Sequence, residues 1–301
     1  MKILVTGSSG LVGTALVEEL QQSGHTVVRL VRPGSAATGR ATQGFDVEWD
    51  AATGTLGGAA VGADAVVNLA GASIAAGRWT EERRTVLRAS RVDNTDALVS
   101  ALARMAIRPR VLVSASAVGI YGNRGDEKLT EQSAPGTDFL SVLARDWEAS
   151  ATKAEAIGVR VVHARFGIIL SKQGGVLPQM VRPFKLGFGG KLGSGQQWMS
   201  WVTLPDTVRV VRFALESGAV RGSINVVSPQ PVRNFEFTEA LAKKLHRPAI
   251  FSAPEFALKL AMGEMAGPLL LASQRVFPAE LIKLGYQYIH PELGSALASL
   301  V

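Results

Sequence analysis

The first thirteen residues, Met1-Lys2-Ile3-Leu4-Val5-Thr6-Gly7-Ser8-Ser9-Gly10-Leu11-Val12-Gly13, constrain the fold more than any other stretch. A short apolar run enters a turn with glycines at positions 7, 10 and 13, and Leu11, Val12, Ala15, Leu16 and Leu20 then recur at helical spacing. The turn is therefore also a helix N-terminus. Gly7 permits the tight turn, Gly10 lets the backbone approach a pyrophosphate, and Gly13 lets the helix pack closely on the strand. Free N–H groups and the helix dipole favour an anion there. Thr6, Gly7, Ser9, Gly10, Leu11, Val12 and Gly13 are accordingly read as a dinucleotide phosphate site. An ordinary strand, turn and helix is the competing reading, and the strand before and helix after the glycines favour the ligand.

Apolar runs and helical patterns alternate beyond this point. Strands are expected at Thr26–Val31, 46–49, 63–69, 110–114 and 159–164, with helical stretches at 79–105 (long and broken) and 139–156. That alternation predicts an α/β fold, a Rossmann-type doubly wound parallel sheet with helices on both faces. From Gly174 the pattern loosens into glycine-rich segments, then shorter mixed elements: a helix over 205–215, a strand over 223–227 and a helix at Asn234–Leu245. We therefore expect a dinucleotide-binding domain over 1–170 and a smaller mixed C-terminal substrate domain over 171–301, interleaved with the first.

The chain has 301 residues and no cysteine, which excludes disulfides, thiolate catalysis and cysteine metal sites. His25, His163, His246 and His290 show no paired spacing, so no metal site is expected. The apolar run 256–272 is interrupted by Lys259, Glu264 and Pro268; it reads as buried helix and loop, not a membrane span. With the first strand starting at Lys2 there is no room for a signal peptide, and a cytoplasmic location is the expectation. The net charge of +7 raises nucleic acid as a partner. Its arginines are scattered without a recognisable binding motif, so a phosphate-bearing small molecule or solubility is the better account.

The end of the second strand selects the dinucleotide, because a carboxylate there binds a ribose 2′-hydroxyl and a cation a 2′-phosphate. Here it reads Leu30-Val31-Arg32-Pro33, with no carboxylate from Val27 through Phe45. NADP(H) is thus favoured over NAD(H) through Arg32, a solvated surface arginine being the alternative. Asp50 stands where it could accept from an adenine amino group or simply end a strand. Leu69, Ala70 and Gly71 end the next strand with little side-chain bulk, suiting close approach of a ligand. Among Arg83, Arg84, Arg88 and Arg91, mostly a solvated face, Arg91 is the one selected to reach a pyrophosphate.

These features resemble the extended short-chain dehydrogenase/reductase superfamily: Thr6-Gly7-x-x-Gly10-x-x-Gly13, Asp50, Asn68-Leu69-Ala70-Gly71, and Val113-Ser114-Ala115-Ser116 followed by Tyr121-Gly122. More closely, the chain is similar to the atypical YfcH-type branch, of epimerase-like proteins with a small C-terminal module. That likeness rests on Ser90-Arg91-Val92, Tyr121 to Glu127, Trp147-Glu148, Leu192-Gly193-Ser194-Gly195, Gln197-Trp198-Met199-Ser200-Trp201 and Ser273-Gln274-Arg275-Val276. The resemblance implies NADP(H) as cofactor, and places Arg91 where ordinary members carry an asparagine, aiming a cation at the cofactor phosphates.

The superfamily's catalytic signature, a tyrosine with a lysine four positions on, cannot form in this chain. Four residues beyond Tyr121, Tyr286 and Tyr288 stand Gly125, His290 and Glu292, and alignment through Trp147-Glu148 puts Leu140 and Ala144 at the pair's positions. Ser116 remains, and Tyr121 is the best substitute acid/base, with packing in the cleft as its competing role. Arg165, Gln197 and Trp198 are candidates to face the ligand, although Trp198 and Trp201 would also serve as core aromatics. Two functions follow: an NADP(H)-dependent oxidoreductase or epimerase acting on a small polar substrate, a nucleotide sugar being one candidate, or a non-catalytic NADP(H)-binding regulator acting through a protein partner, for example in cell division.

Overall fold

The computed structural model describes residues 1–34 and 45–301. The first half runs β1 (Lys2–Thr6), α1 (Leu11–Gln22), β2 (Thr26–Val31), β3 (Phe45–Asp50), β4 (Thr55–Leu56), β5 (Ala65–Asn68), α2 (Glu81–Arg88), a π-helical turn (Ala89–Asp93), α3 (Asn94–Ala103), β6 (Val111–Ala117), β7 (Lys128–Leu129) and α4 (Phe139–Thr152). The second half adds β8 (Arg160–Phe166), β9 (Ile168–Leu170), α5 (Val176–Lys185), β10 (Gly190–Leu192), β11 (Trp198–Met199), β12 (Trp201–Thr203), α6 (Leu204–Glu216) and β13 (Gly222–Val226). It ends in β14 (Val232–Arg233), α7 (Asn234–Leu245), β15 (Phe251–Ala253), α8 (Glu255–Met262), β16 (Arg275–Val276), α9 (Ala279–Lys283) and α10 (Leu293–Leu300).

Eight strands form one sheet in the order β13-β8-β6-β5-β1-β2-β3-β4, parallel except for β4. The chain winds outward from β1 in both directions, so the order reverses there, and a ligand crevice lies beyond the strand C-termini at such a reversal. Side-chain alternation explains the two-sided cover. Ile3, Val5, Val27, Val67, Val113, Val162 and Ile224 meet Leu16 and Leu20 of α1 and Val208 and Val211 of α6. Leu4, Val28, Val66, Leu112 and Val161 meet Leu98 and Leu102 of α3 and Ala151 of α4 on the other face. A further cluster joins Trp201, Phe237, Leu241 and Leu297 beyond the sheet.

Helix starts follow local chemistry. Thr80, Asp138 and Thr203 each accept a hydrogen bond from the backbone N–H three residues on, capping α2, α4 and α6. The first helix differs, for no side chain caps α1 at Gly10.

One sequence expectation needs correction. Residues 256–272 do not form a buried helix: Phe256 and Leu260 of α8 are 73% and 78% exposed. Burial begins only at Met265 and Ala266. Met262, Met265 and Leu269 anchor the segment on a cluster with Trp79, Leu87 and Trp147, which leaves the preceding turns of α8 outside.

Candidate active site

The three glycines of the first turn have different work. Gly7 has φ +65°, and a Cβ there would lie 2.6 Å from the carbonyl carbon and oxygen of Leu69. A Cβ on Gly13 would sit 2.2 Å from Gly7 O and 2.7 Å from Ser8 Cα, so helix and strand can close only over a glycine. Gly10 is exposed, and its Cβ would meet nothing nearer than Gly7 O at 3.4 Å. Packing therefore accounts for Gly7 and Gly13 and leaves Gly10 exposed and uncrowded, beside exposed Ser9 and half-buried Leu11 and Val12.

Thr6 faces the sheet. Its Oγ1 donates to Asn68 Oδ1 at 2.7 Å and accepts from the backbone N–H groups of Leu69 and Ala70 at 3.1 and 3.3 Å. Asn68 Nδ2 then donates to Thr95 Oγ1 at 2.8 Å, which also accepts from Trp147 Nε1 at 3.0 Å. This buried chain ties β1, β5, α3 and α4 at the strand ends and fixes the turn Leu69-Ala70-Gly71.

Arg91 projects from the π-helical turn, a single wider i→i+5 turn between α2 and α3 of the kind that is frequent at functional sites. Its guanidinium donates to Ala72 O at 2.9 Å and Leu87 O at 3.2 Å and stacks 5.2 Å from the Trp147 ring centroid. A Cβ at Gly71 would come within 3.1 Å of Arg91 Cζ. Burial, with Arg83 nearby, pulls the Arg91 pKa down to about 10.

Arg32 is exposed directly after β2. A carboxylate that the linear sequence does not place at the end of β2 is brought there by β3: Val31 pairs with Glu48, and Glu48 Oε1 accepts the Gly34 N–H at 3.1 Å. Asp50 serves its own turn, where Oδ1 accepts from Ala52 N–H at 2.9 Å.

Parallel register builds the second half of the site. Ser116 of β6 lies beside Arg165 of β8, and Arg165 beside Asn225 of β13. Arg165 Nε and Nη2 hold the two oxygens of Glu148 at 2.7 and 2.8 Å, a bidentate pair in which the side chains are 9% and 12% exposed. Ser116 Oγ donates to Glu148 Oε1 at 2.6 Å. Arg165 Nη1 donates to Tyr121 Oη at 2.9 Å and Glu131 O at 3.1 Å. Tyr121 Oη donates to Asn225 Oδ1 at 2.7 Å, and Asn225 N–H to Glu131 Oε1 at 2.9 Å. Tyr121 is wholly buried, its hydroxyl spent inside the protein and not in an open cleft. Burial raises its pKa against the pull of Arg165.

Burial opposes ionisation of Glu148, yet the hydrogen bonds and charge of Arg165 hold its pKa below the usual glutamate value. Burial raises the Glu131 pKa. His163 is shifted down by burial, with Glu148 opposing the shift and Arg165 adding to it; Nε2 contacts Thr152 Oγ1 at 3.0 Å and Nδ1 has no hydrogen-bond partner among the described residues. A histidine kept neutral in the fold binds a proton more readily unfolded, so its share of stability is present above the unfolded pKa of about 6.5 and is lost as pH falls below it. Thermal denaturation between pH 7 and pH 5 is expected to show a falling midpoint, and His163→Gln a shallower fall. Parallel slopes would remove His163 from that response.

Sequence motifs 150 residues apart converge nearby. Ser273 N–H donates to Asn123 Oδ1 at 2.9 Å, Ser273 Oγ to Gly125 O at 2.6 Å, and Gln274 Nε2 to Gly122 O at 3.1 Å. Arg233 and Arg275 stack on Trp198, 4.6 and 4.5 Å from its ring centroid, and Trp198 Nε1 donates to Asp126 Oδ1 at 2.8 Å. Gln197 is buried and donates to the carbonyls of Leu192 and Leu270; Trp201 is a core aromatic. The unforeseen members of the site are Glu148, Glu131 and Asn225. Trp147-Glu148 was visible as a motif, but nothing linear links it to Ser116 or Arg165. Among the described residues no cluster of three acidic or histidine side chains is placed to hold a metal, and no helix is long and apolar enough to cross a membrane.

A reversing parallel sheet with a glycine turn at its centre defines an α/β protein of the Rossmann class. The chain belongs to the NAD-dependent epimerase/dehydratase family, whose model matches residues 3–227, as an atypical extended short-chain dehydrogenase/reductase. Residues 253–300 match a second model, a domain of unknown function, DUF1731. The chain is 40% identical over 296 residues to the epimerase family protein Mb2239 of Mycobacterium bovis, covering 98% of this chain and 96% of that one. It superimposes on the crystal structure of human epimerase family protein SDR39U1 (isoform 2) with NADPH at TM-score 0.86 and 31% identity, covering 100% and 99% of the two chains. A nucleoside-diphosphate sugar epimerase from Corynebacterium glutamicum is similar at TM-score 0.79 and 36% identity, over 99% of this chain and 57% of that one.

Proposed function

We propose that this protein binds NADP(H) and carries out hydride transfer on a small polar substrate, a nucleotide sugar being the favoured class, without the usual tyrosine and lysine. The observation that carries the reading is Gly10: it is exposed, with nothing nearer its Cβ position than Gly7 O at 3.4 Å, at a helix N-terminus that no side chain caps, as close approach of a pyrophosphate requires. Gly10 with Ser9, Leu11 and Val12 would hold the pyrophosphate, and Leu69, Ala70 and Gly71 would flank it. Arg91 would add positive charge, Asp50 would approach the adenine and Arg32 would meet the 2′-phosphate. Thr6, Gly7 and Gly13 support the turn from behind. When bound, the nicotinamide supplies or accepts the hydride. NADPH beside SDR39U1, and the nucleoside-diphosphate sugar epimerase among similar structures, support cofactor and substrate class. Ser116, whose hydroxyl donates to Glu148 at the C-terminal end of β6, stays the candidate to touch substrate; the Tyr121 hydroxyl both accepts from Arg165 and donates to Asn225, which favours a scaffolding role.

Two measurements test this reading. Incubating the protein with NADPH deuterated on either face of the nicotinamide and a metabolite extract should move deuterium into one metabolite. Tight binding with the label unmoved would turn the assignment to a cofactor-bound regulator. Arg32→Asp should weaken NADPH much more than NADH in fluorescence titrations, and equal losses would remove Arg32 from the 2′-phosphate.

A further inference from the structure

The missing tyrosine and lysine leave a gap on one face of α4. Leu140 and Ala144 hold their positions, four residues apart, and the next residue on that face is Glu148. Ala144 is packed with Val118, Ile120 and Tyr121 and carries no proton-transfer chemistry. Glu148, one turn further on, places a carboxylate 2.6 Å from Ser116 Oγ. Ser116 is retained at the C-terminal end of β6, on the crevice side of the sheet.

We propose that Ser116 and Glu148 form a proton relay that replaces the tyrosine and lysine, with Ser116 Oγ meeting a substrate hydroxyl and Glu148 taking the proton behind it. This rests on the hydride-transfer reading above. In the oxidative direction the substrate O–H bond breaks and its proton joins Ser116 Oγ, while the Ser116 O–H proton passes to Glu148 Oε1. The electron pair of the adjacent C–H bond leaves as hydride, for which an oxidised nicotinamide dinucleotide is the acceptor by class, and the C–O bond becomes a carbonyl. Reduction runs the same bonds backwards, ending with Glu148 ionised.

A serine has no strong tendency to exchange a proton near neutral pH by itself. A carboxylate in hydrogen-bond reach supplies the acceptor; the Arg165 pairing that fixes it also lowers its basicity, so protonated Glu148 gives its proton back readily in the reductive direction. Arg165 is the positioning residue: its bidentate hold fixes Glu148, and Tyr121 and the Glu131 carbonyl in turn fix Arg165. The groups facing Glu148 are Ser116 from β6 and His163 and Arg165 from β8. Ser116 is 2% exposed, which shields its bond to Glu148 from competing water and requires the substrate to reach Oγ at the C-terminal end of β6.

The test compares wild type, Ser116→Ala and Glu148→Gln in the deuterium-transfer assay, with NADPH affinity measured in parallel. Both variants should lose transfer by about 100-fold, the lower end of general acid–base contributions, with NADPH affinity retained. Ser116→Ala keeps the Glu148–Arg165 pair, so it decides the matter even where Glu148→Gln fails to fold. An independent readout needs no turnover: with glutamate carboxyl carbons labelled with 13C, the resonance absent from Glu148→Gln should titrate at higher pH in Ser116→Ala, because the serine donor stabilises the carboxylate. Transfer unimpaired in Ser116→Ala, or an unmoved Glu148 titration, overturns the relay and leaves hydride transfer standing. Wild type that binds NADPH and moves no label overturns both.

Discussion

Arg165→Met is expected to be the most damaging single substitution in the site, lowering stability by about 3–5 kcal/mol, the usual cost of leaving one partner of a buried ion pair alone. The guanidinium makes four hydrogen bonds, two to Glu148 and one each to Tyr121 and the Glu131 carbonyl. Removing it leaves a carboxylate in a place 12% exposed, with Ser116 as the neighbour still donating to it. A fall in thermal midpoint of about 5–8 °C follows for a chain of this length. The double variant Arg165→Met with Glu148→Leu should recover much of the loss, since a well-packed apolar pair often equals a buried ion pair. Calorimetry of the three proteins checks this. A double variant no more stable than Arg165→Met would mean that Tyr121 and Glu131, not Glu148, set the requirement for arginine.

The central sheet was legible in the sequence because its strands are buried on both faces, which writes them as short continuous apolar runs such as Ile3-Leu4-Val5 and Val161-Val162. The helix Asn234–Leu245 was legible to the residue, since an apolar stripe begins at Phe235 and ends before the left-handed His246. The segment 256–272 misled because hydrophobicity reports a tendency to be buried, whereas burial depends on what the helix is anchored to. Here Met265 is anchored and Phe256 is not.

The site was less legible for a topological reason. Ser116, Arg165 and Asn225 are neighbours only through the register of three parallel strands, each pair separated by a crossover whose length fixes nothing about alignment. Arg165 was recognised as a ligand-facing candidate from its strand-end position, yet its partner Glu148 lies 17 residues earlier on a different element, a spacing no local motif encodes. Glu48 was hidden in the same way: no carboxylate lies from Val27 through Phe45, and β3 delivers one beside Val31. Tyr121 was placed by loop position, which does not tell an inward ring from an outward one. Only the buried partners Arg165 and Asn225 decide its direction.

Two glycines three residues apart should respond oppositely to substitution, and this separates folding from ligand binding within one turn. Gly13→Ala puts a Cβ 2.2 Å from Gly7 O and 2.7 Å from Ser8 Cα, both backbone atoms that cannot rotate aside. Helix and strand must part, at a cost at or above the roughly 1–3 kcal/mol typical of overpacking. Gly10 has φ −76° and ψ 171°, an extended conformation open to any residue, and its nearest obstacle is 3.4 Å away. Gly10→Val should therefore fold, losing about 1 kcal/mol at the helix start, where glycine is a better cap than valine. The valine methyls project into the space assigned to the pyrophosphate, and NADPH affinity should fall by more than about 100-fold, equivalent to about 2.7 kcal/mol. Circular dichroism melts and NADPH fluorescence titrations of both variants check the pair. A Gly10→Val protein that binds as wild type does would make the turn a piece of packing alone, and the assignment of dinucleotide to this crevice would fall with it. A Gly13→Ala protein of undiminished stability would show that α1 can slide on β1, so that the closure between them is not what holds the turn in shape.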